Sequence, residues 1–177
     1  MNYTYVNEVN QTKFNSLLYA SFSDQTNSWV MKNYQADHIN KSLSPGINRE
    51  LIDHYRTESY LFYKDNKIVS GITFNLNNFN NFQLEKMGFI IPDWIKKHSC
   101  EILNFFILCY PRSSPFRIGK QVAKVEQNIL TREDYTDILA TCPDKLLNFY
   151  SRFGWKKIDE LVQENNKNLN LIQYSRQ

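Results

Sequence analysis

Tyr150 stands four residues before a glycine in the stretch LLNFYSRFGWKKI, residues 146–158. A phenol at that spacing from a Gly-Trp pair is held near a helix stop, where it can pack or give a proton. A second stretch, PFRIGK (115–120), puts a glycine and two cations where a helix is expected to start. Backbone N–H groups point outward at a helix N-terminus, so this is a recipe for a phosphate or pyrophosphate site. Two carboxylates, Glu101 and Glu85, fall on stretches read as strands. Cys109 is read as core; the three cysteines, Cys100, Cys109 and Cys142, form no C-x-x-C pair. His38, His54 and His98 lie in no zinc spacing, so no metal is expected.

The bulk numbers restrict what surrounds these residues. A chain of 177 residues favours one domain, 1–177, with one core. Charged residues at 22% and hydrophobic ones at 42% fit a soluble globular protein. A formal charge of +3, spread along the chain, argues against nucleic acid as a partner. No apolar run spans a bilayer and the N-terminus does not read as a signal peptide, so neither a membrane nor export is expected and the location is read as cytoplasmic.

The elements that must position the candidates follow from periodicity. YTYVNEV alternates and reads as a first strand. Residues 10–23 place Phe14, Leu17, Leu18 and Phe22 at helical spacing. Residues 27–43 and 47–58 read as two further helices separated by the breaker Ser44-Pro45-Gly46. SYLFYK and KIVSGITFNL flank Asp65-Asn66, a turn pair that tolerates positive φ. FQLEKMGFII (82–91) reads as a strand, and CEILNFFILCY (100–110) as a central, doubly covered one. PRSSPFRIGK (111–120) reads as a loop. From Ile118 onward, Val122, Val125 and Ile129 continue one helix face. Residues 134–142 read as a strand, 143–153 as a helix closed by Gly154, and KKIDELVQ and NLNLIQYS as the last two strands. The class is α/β, and the crossover from 100 to 142 makes those two strands parallel neighbours. At the helix stop, Gly154 at C′ makes Tyr150 the C3 residue and Trp155 the C″ residue, two positions that touch in a Schellman motif.

The succession CEILNFFILCYP, RIGKQVAKVEQ, YTDILATC and LLNFYSRFGWKKI resembles the GNAT superfamily of acyl-CoA-dependent N-acyltransferases over about residues 100–158. FYSRFGW matches that family's tyrosine ahead of a Gly-Phe pair, with Trp155 in place of Phe. The family's Gln/Arg-x-x-Gly-x-Gly/Ala loop is matched in part: Gly119 takes the last position, Arg117 the first Gly and Ser114 the Gln/Arg. The resemblance implies a mixed, mostly antiparallel central sheet with one splayed parallel strand pair and helices on both faces. It implies acetyl-CoA as co-substrate and an amine, of a small molecule or a protein, as acceptor. It assigns the proton for the leaving thiolate to Tyr150, and the base that the reaction needs falls to Glu101 or Glu85. Contacts to the CoA fall to Ile107, Leu108 and Cys109 on the central strand, to Phe116, Arg117, Ile118, Gly119 and Lys120 at the helix start, and to Asn148. A catalytically silent GNAT-fold binding module is the other reading, and the last two strands leave a homodimer open.

Overall fold

The hairpin at Asp65-Asn66 forms as its turn chemistry requires, with both residues at positive φ (51° and 60°). The computed structural model describes residues 1–24, 29–44, 56–76, 82–108, 115–162 and 168–176. Its strands are β1 (Asn2–Tyr5), β2 (Gln35–Asp37), β3 (Ser42–Ser44), β4 (Thr57–Lys64), β5 (Lys67–Asn75), β6 (Ser99–Ile107), β7 (Asp137–Pro143), β8 (Lys156–Val162) and β9 (Asn168–Ser175). Its helices are α1 (Glu8–Phe22), α2 (Trp29–Asn33), α3 (Gln83–Lys86), α4 (Asp93–Lys96), α5 (Pro115–Arg132) and α6 (Asp144–Ser151). Seven strands form one mixed, mostly antiparallel sheet in the order β1-β4-β5-β6-β7-β9-β8, and β2 pairs with β3 apart from it. Among the described residues no helix is long and apolar enough to cross a membrane.

The chain divides into two compact units. The first holds Met1–Phe74 and Leu103–Ile118; the second holds Asn75–Ile102 and Gly119–Gln177. β6 changes unit after Ile102.

In the first unit β1 pairs antiparallel with β4. Asn7 starts α1: its side chain accepts the Val9 N–H at 3.2 Å, and the Asn10 side chain accepts the Asn7 N–H at 2.7 Å. α1 presents Phe14 and Leu18, which pack with Val6, Tyr34, Leu43, Leu61 and Phe106. Gly71 is small for a packing reason, since a Cβ there would lie 2.5 Å from the Phe106 ring and 2.9 Å from that of Phe14. The helix expected over 27–43 is much shorter, stopping at Asn33, and is followed by the β2–β3 hairpin. Asp37 explains the change. Its Oδ1 accepts from the Ile39 and Asn40 N–H groups at 3.0 and 2.9 Å, and Lys41 then takes φ of 49°. Such a local turn competes with continued helix. The helix expected over 47–58 falls mainly on residues outside those described, and its end, Thr57 and Glu58, begins β4.

In the second unit β6 and β7 are the parallel pair, joined at Ser99↔Asp137, Cys100↔Ile138 and Glu101↔Leu139. β9 pairs antiparallel with β7 over seven residues and with β8 on its other side, where a bulge falls between Lys157 and Asp159. The strand expected over 82–91 is instead the short helix α3, closed by Gly88 at φ 105°. The Phe89 N–H reaches the Leu84 carbonyl at 3.1 Å and the Gly88 N–H reaches that of Glu85 at 3.0 Å, which is a Schellman stop. Phe82, Leu84, Phe89 and Ile91 then pack with Leu139 and Leu171. α5 starts at Pro115, inside the expected loop, with proline at the first position where it suits a helix.

Candidate active site

α6 carries the phenol that the sequence singles out. Asp144 sits in its first turn, favourable at the positive end of the helix dipole, and accepts from the Asn170 side chain at 2.7 Å. The helix ends as its glycine dictates. Gly154 takes φ of 90°, the Trp155 N–H closes onto the Tyr150 carbonyl at 3.4 Å, and the Gly154 N–H closes onto that of Ser151 at 3.1 Å. The side chains meet as this stop requires, with the Tyr150 and Trp155 rings edge to face and centroids 5.9 Å apart. Phe149 lies 5.6 Å from Tyr150 in the same manner, and Trp155, buried, rests 5.6 Å from Tyr174. The Tyr150 residue is half-buried, and among the described residues nothing is hydrogen-bonded to its hydroxyl. Burial pushes its pKa well above the usual tyrosine value, with Cys142 and Glu126 adding in the same direction.

Gly119 on α5 packs against Phe153, which follows the end of α6. A Cβ on that residue would lie 2.4 Å from Cζ of the Phe153 ring, so the glycine is filled by its neighbour. Further along α5, Glu126 is buried at 2% exposure. Burial pushes its pKa up to about 8. Sequence reasoning missed Glu126. The available signal was a carboxylate at i+4 from Val122 and i+1 from Val125, on the apolar stripe of an otherwise amphipathic helix.

Glu101 is held differently from a carboxylate open to substrate. It is fully buried, its Oε1 accepts from Asn75 Nδ2 at 2.8 Å and the Gln83 N–H at 2.7 Å, and its Oε2 accepts from the Leu84 N–H at 3.2 Å. It thereby fastens the start of α3 to β6. Burial raises its pKa to about 7, with these three donors opposing. Glu85, expected on a strand, lies on α3, where it accepts from the Phe82 N–H at 3.2 Å and pairs with Lys96 at 2.9 Å.

No protein-family model and no curated protein matches the sequence. Solved structures do match. The CoA-dependent acyl-homoserine lactone synthase MesI superposes with a TM-score of 0.68 at 15% identity, covering 98% of this chain and 88% of that one. The dodecameric spermidine N-acetyltransferase from Vibrio cholerae gives 0.64 at 10% identity, covering 99% and 93%. Aminoglycoside acetyltransferase AAC(6')-Ib, solved with coenzyme A and kanamycin, gives 0.63 at 9% identity, covering 99% and 95%. The chain has the GNAT fold.

Within that fold the remaining predicted residues fall as follows. Ile107 ends β6 and Leu108 follows it, both half-buried; the Leu108 N–H donates to the Val69 carbonyl at 2.9 Å. That N–H is therefore engaged within the sheet. Cys109 lies outside the described residues. Phe116, Arg117 and Lys120 are exposed in the opening of α5, whereas Ile118 and Gly119 are buried. Asn148 is exposed on α6. The structure thus brings together Tyr150, Phe149, Trp155 and Tyr174 in the second unit, with Gly119 packed against Phe153 just past the end of α6.

Proposed function

We propose that this GNAT-fold chain transfers an acyl group, acetyl in the simplest case, from acyl-CoA to an amine by direct attack. The observation that carries the reading is Tyr150: a phenol locked by its helix stop, half-buried, with no hydrogen bond to its hydroxyl among the described residues. Burial keeps that phenol protonated across the physiological range, as a proton donor requires. The neutral amine attacks the thioester carbonyl, the C–S bond breaks, and the departing thiolate takes the Tyr150 proton. The amine nitrogen gives up its own proton to solvent or to a base. Glu101 enters this reading as a positioning carboxylate, because both of its oxygens already accept hydrogen bonds. For the acyl-CoA, the reading keeps Ile107, Leu108 and Cys109, the α5 start from Phe116 to Lys120, and Asn148.

That engagement of Glu101 also favours a second reading, a GNAT-fold module that binds acyl-CoA without turnover. The two separate in one experiment. Acetyl-CoA is added to the protein in a thermal melt, and thiol release is followed with a panel of polyamine, aminoglycoside and amino-acid acceptors. Stabilisation with thiol release supports the transferase. Stabilisation with no release from any acceptor supports the binding module, and no stabilisation overturns both.

A further inference from the structure

Asn104 on β6 is buried at 5% exposure, and its Oδ1 has no hydrogen-bond partner among the described residues. Asn170 Oδ1 shares that state, but the Asn170 amide nitrogen reaches the Cys142 carbonyl at 3.2 Å and Asp144 Oδ1 at 2.7 Å, which accounts for that residue as a brace. Asn104 has no such account. Its Nδ2 reaches the Tyr34 hydroxyl, and only at 3.4 Å. Tyr34, also buried, gives its own proton to the Leu103 carbonyl at 3.0 Å. A hydroxyl has one proton, so toward Asn104 it can only accept. That turns Nδ2 to Tyr34 and leaves Oδ1 facing away. A buried acceptor left unfilled carries its whole desolvation cost, which a leucine of similar shape would avoid. The oxygen has no structural return, and the geometry asks for a donor from a ligand.

We propose that Asn104 binds the acceptor amine, its Oδ1 taking an N–H from the neutral nitrogen. The proposal rests on the transferase reading and names the class of acceptor. Asn104 and Phe106 lie two apart on β6 and share a face, and Leu108, which that reading gives to acyl-CoA, packs against the same cluster as Tyr34 and Phe106. An amide oxygen is uncharged and does not hold a proton on the nitrogen as a carboxylate would, so the bound amine keeps the lone pair that attack requires. The lone pair forms the N–C bond, the C–S bond breaks, and one proton leaves the nitrogen for solvent or a base. The N–H on Oδ1 stays in the product amide, and Asn104 takes no proton at any stage. The shell around Tyr34 and Phe106 is Phe14, Leu18, Leu43 and Leu61, which suits an amine carried on an apolar body. Because the bond to Tyr34 is long, a small turn of the buried amide toward such a ligand gives up little.

The test needs no turnover in its first part. Benzylamine is the probe and spermidine its polycationic counterpart. Binding to the intact protein is measured by calorimetry at about pH 9, where a share of the amine is neutral, with and without coenzyme A. The parent is expected to prefer benzylamine, and Asn104→Leu to weaken it by about tenfold. The melting temperature of that variant is expected to hold or rise, because the unfilled oxygen is gone. A lower melting temperature with unchanged binding is what a merely structural amide gives, and it overturns the proposal. Asn104→Ser, too short to reach the ligand, is expected to show the same loss of binding and decides the matter if the leucine variant fails to fold. No saturable benzylamine binding by the parent in either condition, or a preference for spermidine, also overturns it. In the second part acetyl-CoA is added. Both variants are expected to raise the KM for benzylamine by about tenfold and to keep that for acetyl-CoA within about twofold. An equal rise in both overturns the assignment. Binding that depends on Asn104 in a parent without turnover would instead count against the transferase reading and leave the amine site standing.

Discussion

The ring of Phe153 occupies the space in which a side chain on residue 119 would begin: a Cβ there would stand 2.4 Å from Cζ. The glycine thus has a reason internal to the protein, the close seating of α5 on the turn that follows α6. Gly119→Ala is expected to destabilise by about 1–3 kcal/mol, as overpacking does. Adding Phe153→Leu is expected to return most of that loss, read as non-additivity in a double-mutant cycle of thermal melts. If Gly119→Ala leaves the melting temperature unchanged while weakening acetyl-CoA binding, the glycine serves the ligand and the packing account fails.

Tyr150→Phe removes one oxygen and keeps the ring that meets Trp155 and Phe149. Because that oxygen makes no hydrogen bond among the described residues, the melting temperature is expected to move by no more than about 2 °C. Loss of a general acid removes on the order of 10²-fold in kcat or more. Steady-state kinetics beside a melt separate the two effects, and parental kcat in the variant would remove Tyr150 from the chemistry.

Glu101→Ala strands the Asn75 amide and the N–H groups of Gln83 and Leu84 in a buried setting. At roughly 1–3 kcal/mol for each unsatisfied buried group, a loss of about 3 kcal/mol or more is expected. Chemical denaturation measures it. A variant that keeps its stability and loses only kcat would restore Glu101 as a base.

Glu101 and Glu126 also make stability depend on pH. Both have folded pKa values raised by burial above the ordinary 4.5, to about 7 and about 8. The folded state therefore binds more protons than the unfolded one between those limits, so their contribution is present below about pH 4.5 and lost as pH rises through 7 and 8. Melts from pH 5 to 9 are expected to show this decline, on the order of a few kcal/mol in all. Glu126→Gln is expected to flatten its upper part, and an unaltered slope in that variant would show that Glu126 is not its source.

What the sequence discloses is whatever its local chemistry decides. The Asp65-Asn66 turn and the Gly154 stop are settled within a few residues, and both appear where their residue types place them. The same spacing that links Tyr150, Gly154 and Trp155 links Leu84, Gly88 and Phe89, so α3 was marked by its own stop and read as a strand because of its apolar run. What holds the front of α3 is Glu101, seventeen or eighteen residues away, and no local pattern announces such a tie. Glu126 was hidden for the opposite reason. A charge on an apolar stripe looks like an imperfection in the period until the structure shows it buried there. The β2–β3 hairpin was legible in part, since Asp37 two and three residues before Ile39 and Asn40 is a turn former.

The bulge between Lys157 and Asp159 bears on how this protein behaves at high concentration. β8 ends the strand order, with all but one of its residues exposed, and sequence alone left it open as a surface for a second chain. A kinked, lysine- and acid-bearing strand is a poor template for edge-to-edge growth, because an incoming strand finds its register broken after two pairs and its path lined with charge. The sheet is thereby guarded at that end against runaway association, and Ile158 and Val162, though exposed, lack the flat, uninterrupted edge that a fibril seed would need.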